Sequence, residues 1–179
     1  MALAHAILAS LLDEPRTGYD LARLFGSDGY FWRATHQQIY RELARLEAED
    51  AVVPVDPAPG TRDERRRGIT PIGRKRLAVW GREPSDPATI KEDVLVKCLA
   101  LEVVDADALA EQIGKRREQH RARLDLHLST LATFFPNGAP SGGAPLGRFL
   151  AAQGGIAYER AWVEWADMAV NALCAARGS

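Results

Sequence analysis

The sequence predicts a mainly α-helical chain with one short β-hairpin, divided near residue 83 into segments 1–83 and 84–179. Three observations carry that prediction. Apolar residues recur at helical spacing through most of the chain. The period changes once, at Val52, Val53 and Val55, ahead of a Pro/Gly tip and a second extended run, Arg65 to Ile69. Gly81 to Pro87 then reads as a linker, after which the chain is helical almost throughout.

A first helix is expected from Ala2 to about Asp13, carried by Leu3, Ile7, Leu8, Leu11 and Leu12 and ended by Glu14-Pro15. A second fits Thr17 to Phe25, with Thr17 as N-cap, Leu21, Leu24 and Phe25 on one face, and Gly26 as stop. The segment from Ser27 to Ala34 is irregular and aromatic, and Phe31 and Trp32 are expected to pack between helices. A third helix starts at Thr35 and runs to about Asp50. Ile39, Leu43 and Leu46 fall in a narrow arc that must face a core. The opposite arc carries Gln37, Arg41, Ala44 and Ala48, flanked by Gln38, Tyr40 and Arg45. Asp56 to Gly60 is the hairpin tip. Thr70-Pro71 reads as N-cap and first residue of a helix through Leu77, Val79 and Trp80.

In the second half, helices are expected at about Thr89–Val103, Asp107–Phe134 and Leu146–Ala176, with Asp105 and Asp107 starting the middle one. Its apolar stripe is Leu109, Ile113, Leu124, Leu128 and Leu131, and Pro136 to Pro145 is a flexible connection.

Among the 179 residues, 24 acidic and 23 basic side chains leave a formal net charge of −1. A near-neutral total removes the simplest argument for a polyanionic partner, so that argument must come from where the charges sit. They are concentrated: Arg62 to Arg76 holds seven basic and two acidic residues, an excess of +5. With 46% hydrophobic and 26% charged residues, the composition is that of a folded globular protein rather than a disordered one. No run reaches the roughly 18–20 apolar residues that span a bilayer, and the N-terminus lacks a basic leader region, so a cytoplasmic protein without membrane contact is expected. Cys98 and Cys174 are expected to be buried free thiols in a reducing compartment.

Three helices followed by a hairpin within roughly 80 residues meet the requirements of a winged helix-turn-helix. The third helix would offer its polar arc to the major groove, where glutamine pairs with adenine and arginine with guanine. Arg62, Arg65, Arg66 and Arg67, on a protruding element, suit phosphate neutralisation. On a strand, Arg65 and Arg67 share one face and Arg66 takes the other. Solvated polar faces would show the same residue types, so a winged-helix module for small molecules or protein partners, without direct DNA binding, is the competing reading.

Three motifs stand out in order: Thr17-Gly18-Tyr19-Asp20-Leu21-Ala22, Gln38-Ile39-Tyr40-Arg41-Glu42-Leu43 with its continuation to Glu47, and Arg65-Arg66-Arg67-Gly68-Ile69-Thr70-Pro71-Ile72-Gly73. By these motifs residues 1–83 resemble the N-terminal domain of PadR-type transcriptional regulators. Gly68 is a departure, because family members often carry tyrosine or another large residue there. The resemblance implies a dimeric winged-helix regulator, usually a repressor, that binds double-stranded DNA. It places Tyr19, Thr35, His36, Gln37, Gln38, Tyr40 and Arg41 on the DNA-contacting face and Arg62, Arg65 and Arg67 on the wing. Residues 84–179 resemble the virulence-activator-type dimerisation domains of the larger subgroup, and Glu159 to Val170 fits the final helix of such a domain.

In that final helix Tyr158, Trp162, Trp165 and Met168 are candidates for dimer contacts or for a small aromatic effector's pocket. His5, His36, His120 and His127 show no metal-ligand pattern, and surface or interface positions are expected for them. Neither a Gly-rich phosphate loop nor a nucleophile elbow is present, so neither catalysis nor a cofactor or metal is expected.

Overall fold

A computed structural model describes residues 2–26, 34–55, 65–87 and 91–176. Phe31, Trp32, the tip from Asp56 to Gly60, Arg62 and the start of the helix expected at Thr89 lie outside the described residues. The chain forms two compact units, Met1–Pro87 and Ala88–Ser179.

In the first unit the order is α1 (Ala2–Ser10), α2 (Gly18–Gly26), α3 (His36–Ala48), β1 (Val52–Pro54), β2 (Arg67–Ile69) and α4 (Pro71–Trp80). Helix α1 stops at Ser10, short of the expected Asp13, and Arg16 Nε donates to the Ser10 carbonyl at 3.0 Å. Thr17 caps α2: its hydroxyl accepts from Asp20 N at 3.0 Å and donates to the Asp20 carboxylate at 2.8 Å. The Thr17 hydroxyl and amide hold the Asp20 carboxyl below the ordinary carboxylate range. Ile7, Leu8, Leu21, Phe25, Ile39, Leu43, Leu46 and Val52 close one core, as the periodicity of each helix requires.

After α3 the chain turns through Asp50, at φ 54°, and Ala51 N donates back to Leu46 O at 2.9 Å. The hairpin is antiparallel, pairing Val52 with Ile69, Val53 with Gly68 and Pro54 with Arg67. Arg16 and Arg67 also exchange both backbone hydrogen bonds, at 3.1 and 2.8 Å, so the α1–α2 connection lies along the hairpin's other side. Thr70 then caps α4 by accepting from Gly73 N at 3.1 Å. Gly73 has no room for a side chain, since a Cβ there would sit 2.3 Å from the Ala51 carbonyl oxygen.

The second unit comprises α5 (Asp93–Leu99), α6 (Ala106–Phe134) and α7 (Gly143–Ala175). The expected helix ending at Val103 stops at Leu99, and the Asp105 carboxylate opens α6 by accepting from Asp107 N and Ala108 N at 2.8 and 3.0 Å. Helix α7 begins inside the expected connection, with Pro145 in its first turn, where the missing N–H costs nothing. Helices α6 and α7 run antiparallel: Phe135 meets Phe149, His120 meets Glu159 and Arg117 meets Asp167. Leu109 and Ile113 are buried as expected, but Leu128 is exposed.

His5 is buried, and so are His120 and His127 of α6, which corrects the surface or interface positions expected for them. The steps of seven from Ile113 return both histidines to the core-facing side of α6. His120 Nδ1 lies 2.5 Å from Glu159 Oε2, so the buried ring is matched by an acceptor. Cys98 is half-buried and Cys174 exposed, the latter correcting the expected burial. Among the described residues, no helix is long and apolar enough to cross a membrane.

Candidate nucleic-acid interface

Helix α3 turns Ile39, Leu43 and Leu46 inward and leaves His36, Gln37, Gln38, Arg41, Ala44, Arg45 and Ala48 exposed. These outward side chains are not equivalent, because several are already committed. Thr35 and Gln38 form a reciprocal capping box: the Gln38 carbonyl oxygen accepts from Thr35 N at 2.9 Å, and Gln38 N donates to the Thr35 hydroxyl at 3.3 Å. Arg45 donates to Glu49 Oε1 at 2.7 Å and to Glu42 Oε1 at 2.5 Å. The Arg45 guanidinium accordingly holds the Glu42 carboxyl below its ordinary range.

Tyr40 is half-buried against α2, where a Cβ on Gly18 would lie 2.5 Å from its ring. Tyr40 thus wedges the start of α2 against α3, and its ring also meets that of His36 at 6.3 Å. Gln37 and Arg41 remain: both are exposed, and Arg41 forms no ion pair with any described residue. Tyr19, in the first turn of α2, is 58% exposed.

The wing differs from its expected pattern. Arg67 is only 3% exposed, donating to Glu47 Oε2 at 3.3 Å and to the Arg65 carbonyl at 3.1 Å. It is therefore a structural residue, which corrects its placement on the outer wing face. The cause is register: β2 begins only at Arg67, and its pairing with both β1 and Arg16 turns that side chain inward beside α3. Arg65 and Arg66 stay exposed, and Arg66 donates to Pro15 O at 3.1 Å through Nη2. Gly68 is buried, with Val55 Cγ1 2.9 Å from where a Cβ would stand, so a large side chain would require Val55 to move.

In α7, Trp162 and Trp165 are half-buried, and Tyr158 and Met168 are exposed. Trp162 stacks on His120 at 4.0 Å, meets Trp165 edge-on at 5.2 Å and carries the Arg116 guanidinium 4.9 Å from its ring centre. Arg116 in turn is paired through both nitrogens with Glu92. The two indoles thus pack in the second unit, against α6 and its core.

Two of these features had sequence signals. Thr35-His36-Gln37-Gln38 is a capping-box pattern, and Thr70-Pro71-Ile72-Gly73 encodes a cap followed by a close backbone approach. The commitment of Arg67 to Glu47 and Arg16 had none, since it depends on contacts with segments 20 and about 50 residues away.

Residues 90–173 match the family model of the virulence activator alpha C-terminal domain. The probable transcriptional regulator Rv1176c of Mycobacterium tuberculosis is 35% identical over 97% of this chain and 98% of its own length. The negative transcriptional regulator PadR of Bacillus subtilis is 25% identical over 92% of this chain and 93% of its own. Among solved structures, the virulence activator AphA of Vibrio cholerae matches with a TM-score of 0.75 at 29% identity, over 97% of this chain and 98% of AphA. Bacillus subtilis PadR in complex with operator DNA shares the fold, with a TM-score of 0.76 at 23% identity over 97% and 99% of the two chains. A winged unit and a helical hairpin, matched along their whole length by a relative above 30% identity, lead to one conclusion: the chain belongs to the PadR family of transcriptional regulators.

Proposed function

We propose that the chain is a homodimeric, sequence-specific DNA-binding repressor that works in the cytoplasm on an inverted-repeat operator. Helix α3 enters the major groove, with Gln37 and Arg41 reading base edges. Thr35 and Gln38 hold the start of that helix, Tyr40 sets its angle to α2, and His36 and Tyr19 flank the contact. Arg65 and Arg66 meet the phosphate backbone, and Arg62 joins them on the wing. The observation that carries this reading is the uncommitted, exposed pair Gln37 and Arg41 on a helix whose remaining long polar side chains are largely tied to caps and ion pairs. A base-reading residue must be free to exchange water for a base edge, and among the described residues these two have no competing side-chain partner.

Dimerisation is assigned to residues 88–179, which expose Leu99, Val103, Phe134, Tyr158 and Met168. Half-sites then lie about one helical turn apart, or a multiple of it. A relative solved with operator DNA and the same protein solved with p-coumaric acid support DNA binding and a response to a small aromatic effector.

The test is footprinting and gel shift with the DNA flanking the chain's own gene. Protection of an inverted repeat is expected, with Arg41→Ala weakening one base position by about 1–3 kcal/mol. Failure to shift any of that DNA specifically at moderate salt would instead favour a winged-helix module for other ligands.

A further inference from the structure

In the first turn of α3 the two ends of one side-chain amide are used differently. Gln38 Oε1 accepts two hydrogen bonds from Thr35, from the backbone N at 2.9 Å and from the hydroxyl at 3.2 Å. That hydroxyl accepts from Gln38 N at 3.3 Å, which leaves its single proton for Oε1. An amide oxygen has two lone pairs, and both are therefore occupied. Because a backbone N–H only donates, the atom facing it must be the oxygen, which fixes which way round the amide sits. Nε2 makes no hydrogen bond to any described residue, and the side chain is exposed. Gln38 thus presents two donors and no acceptor to whatever meets this face.

The neighbouring residues sharpen the consequence. Arg41, the next residue of this stripe, also offers donors alone. Arg45, one turn further, is held by Glu42 and Glu49. Base contact is thereby confined to the first two turns, the part of a recognition helix that reaches base edges. In the major groove guanine shows two acceptors, N7 and O6, and thymine shows O4. Cytosine shows only its N4 amine, and adenine sets the N6 amine beside N7. Glutamine ordinarily pairs with adenine by accepting from N6 while donating to N7. Gln38 cannot do so while the cap is intact, because its oxygen is filled.

We propose that Gln38 is a specificity-determining residue that offers only donors, selecting guanine or thymine at one position of each half-site and rejecting cytosine. The cap that starts α3 thereby also chooses a base. This assignment rests on the proposed entry of α3 into the major groove. A glutamate at the same position keeps the cap, since a carboxylate oxygen accepts from Thr35 as the amide oxygen does. Its second oxygen puts an acceptor where two donors stood and turns the preference toward cytosine or adenine.

The test is selection of bound duplexes from a pool of randomised DNA by the full chain, followed by gel shifts on single-base variants of the selected site. Wild type is expected to prefer guanine or thymine over cytosine by about tenfold or more at one position of each half-site. Gln38→Glu should reverse that order at this position alone and melt no lower than wild type. Gln38→Leu should lose the preference and, with the cap broken, melt about 2–4 °C lower. The assignment is overturned if Gln38→Glu leaves every base preference unchanged, if it weakens all sequences equally, or if wild type selects adenine at the affected position. Equal melting of Gln38→Leu and wild type would overturn the filled oxygen on which the donor-only state depends. A wild type that selects no sequence would refute the proposed function and this assignment with it, an outcome distinct from a selected site in which no position depends on Gln38.

Discussion

The two units solve the same problem of apolar surface in opposite ways. The first wraps four helices and a β-hairpin around one core, and its buried arginine is paired. The second joins its helices through a smaller core of Val94, Leu109, Ala110, Ile113, Ala166 and Leu173. It leaves Leu99 89% exposed, Val103 86% and Phe134 71%. Exposed side chains of that kind gain about 1.5–3 kcal/mol each when covered, so the second unit is where the proposed dimer would gain most.

If the first unit is complete, truncating its centre has the largest effect. Phe25→Ala should destabilise that unit by about 3–5 kcal/mol, read as an earlier urea transition with an unchanged slope. If the second unit needs a partner, Leu99→Asp with Val103→Asp should weaken self-association on the order of a hundredfold in sedimentation equilibrium, with helicity retained. A wild-type chain that sediments as a monomer would remove the contrast.

Smaller effects separate the two kinds of wing arginine. Arg67→Met should cost about 1–3 kcal/mol of stability, because Glu47 and the Arg65 carbonyl lose their partner. The slope of DNA affinity against salt should stay as it is. Arg65→Ala should do the reverse, leaving stability alone and lowering the salt slope by about one. Equal salt slopes for the two variants would place neither on phosphate.

The smallest effect is in the second unit. Arg116 holds the Glu92 carboxyl below its ordinary range, chiefly through their hydrogen bonds. A carboxylate depressed in the folded state stabilises above its unfolded pKa and loses that contribution as pH falls through the folded value. The stability advantage of wild type over Glu92→Gln should therefore be complete at pH 7 and shrink in thermal melts below about pH 4.5.

Most of the helical framework was legible because each helix carries its own evidence. Ile39, Leu43 and Leu46 define a core face by spacing alone, and Thr35, Thr70 and Asp105 announce helix starts by local hydrogen bonding. Ends were less legible. Helix α1 stops early and α7 starts early, because a terminus depends on what satisfies its free carbonyls and amides. The candidate interface was legible as a surface, not as a set of working residues. Of its cations, Arg41 has no ion pair among the described residues, Arg45 is bound to two glutamates and Arg67 is buried.

Periodicity, caps and the basic block from Arg62 to Arg76 therefore determine which elements form and where positive charge gathers, since these depend on residues within a few turns of one another. Which arginine is free, which histidine is buried and which aromatic rings meet depend on segments about 40 to 75 residues apart, as for Arg67 with Arg16, His120 with Glu159 and His5 with Trp80. Such pairings are properties of packing, and no local pattern of residues encodes them.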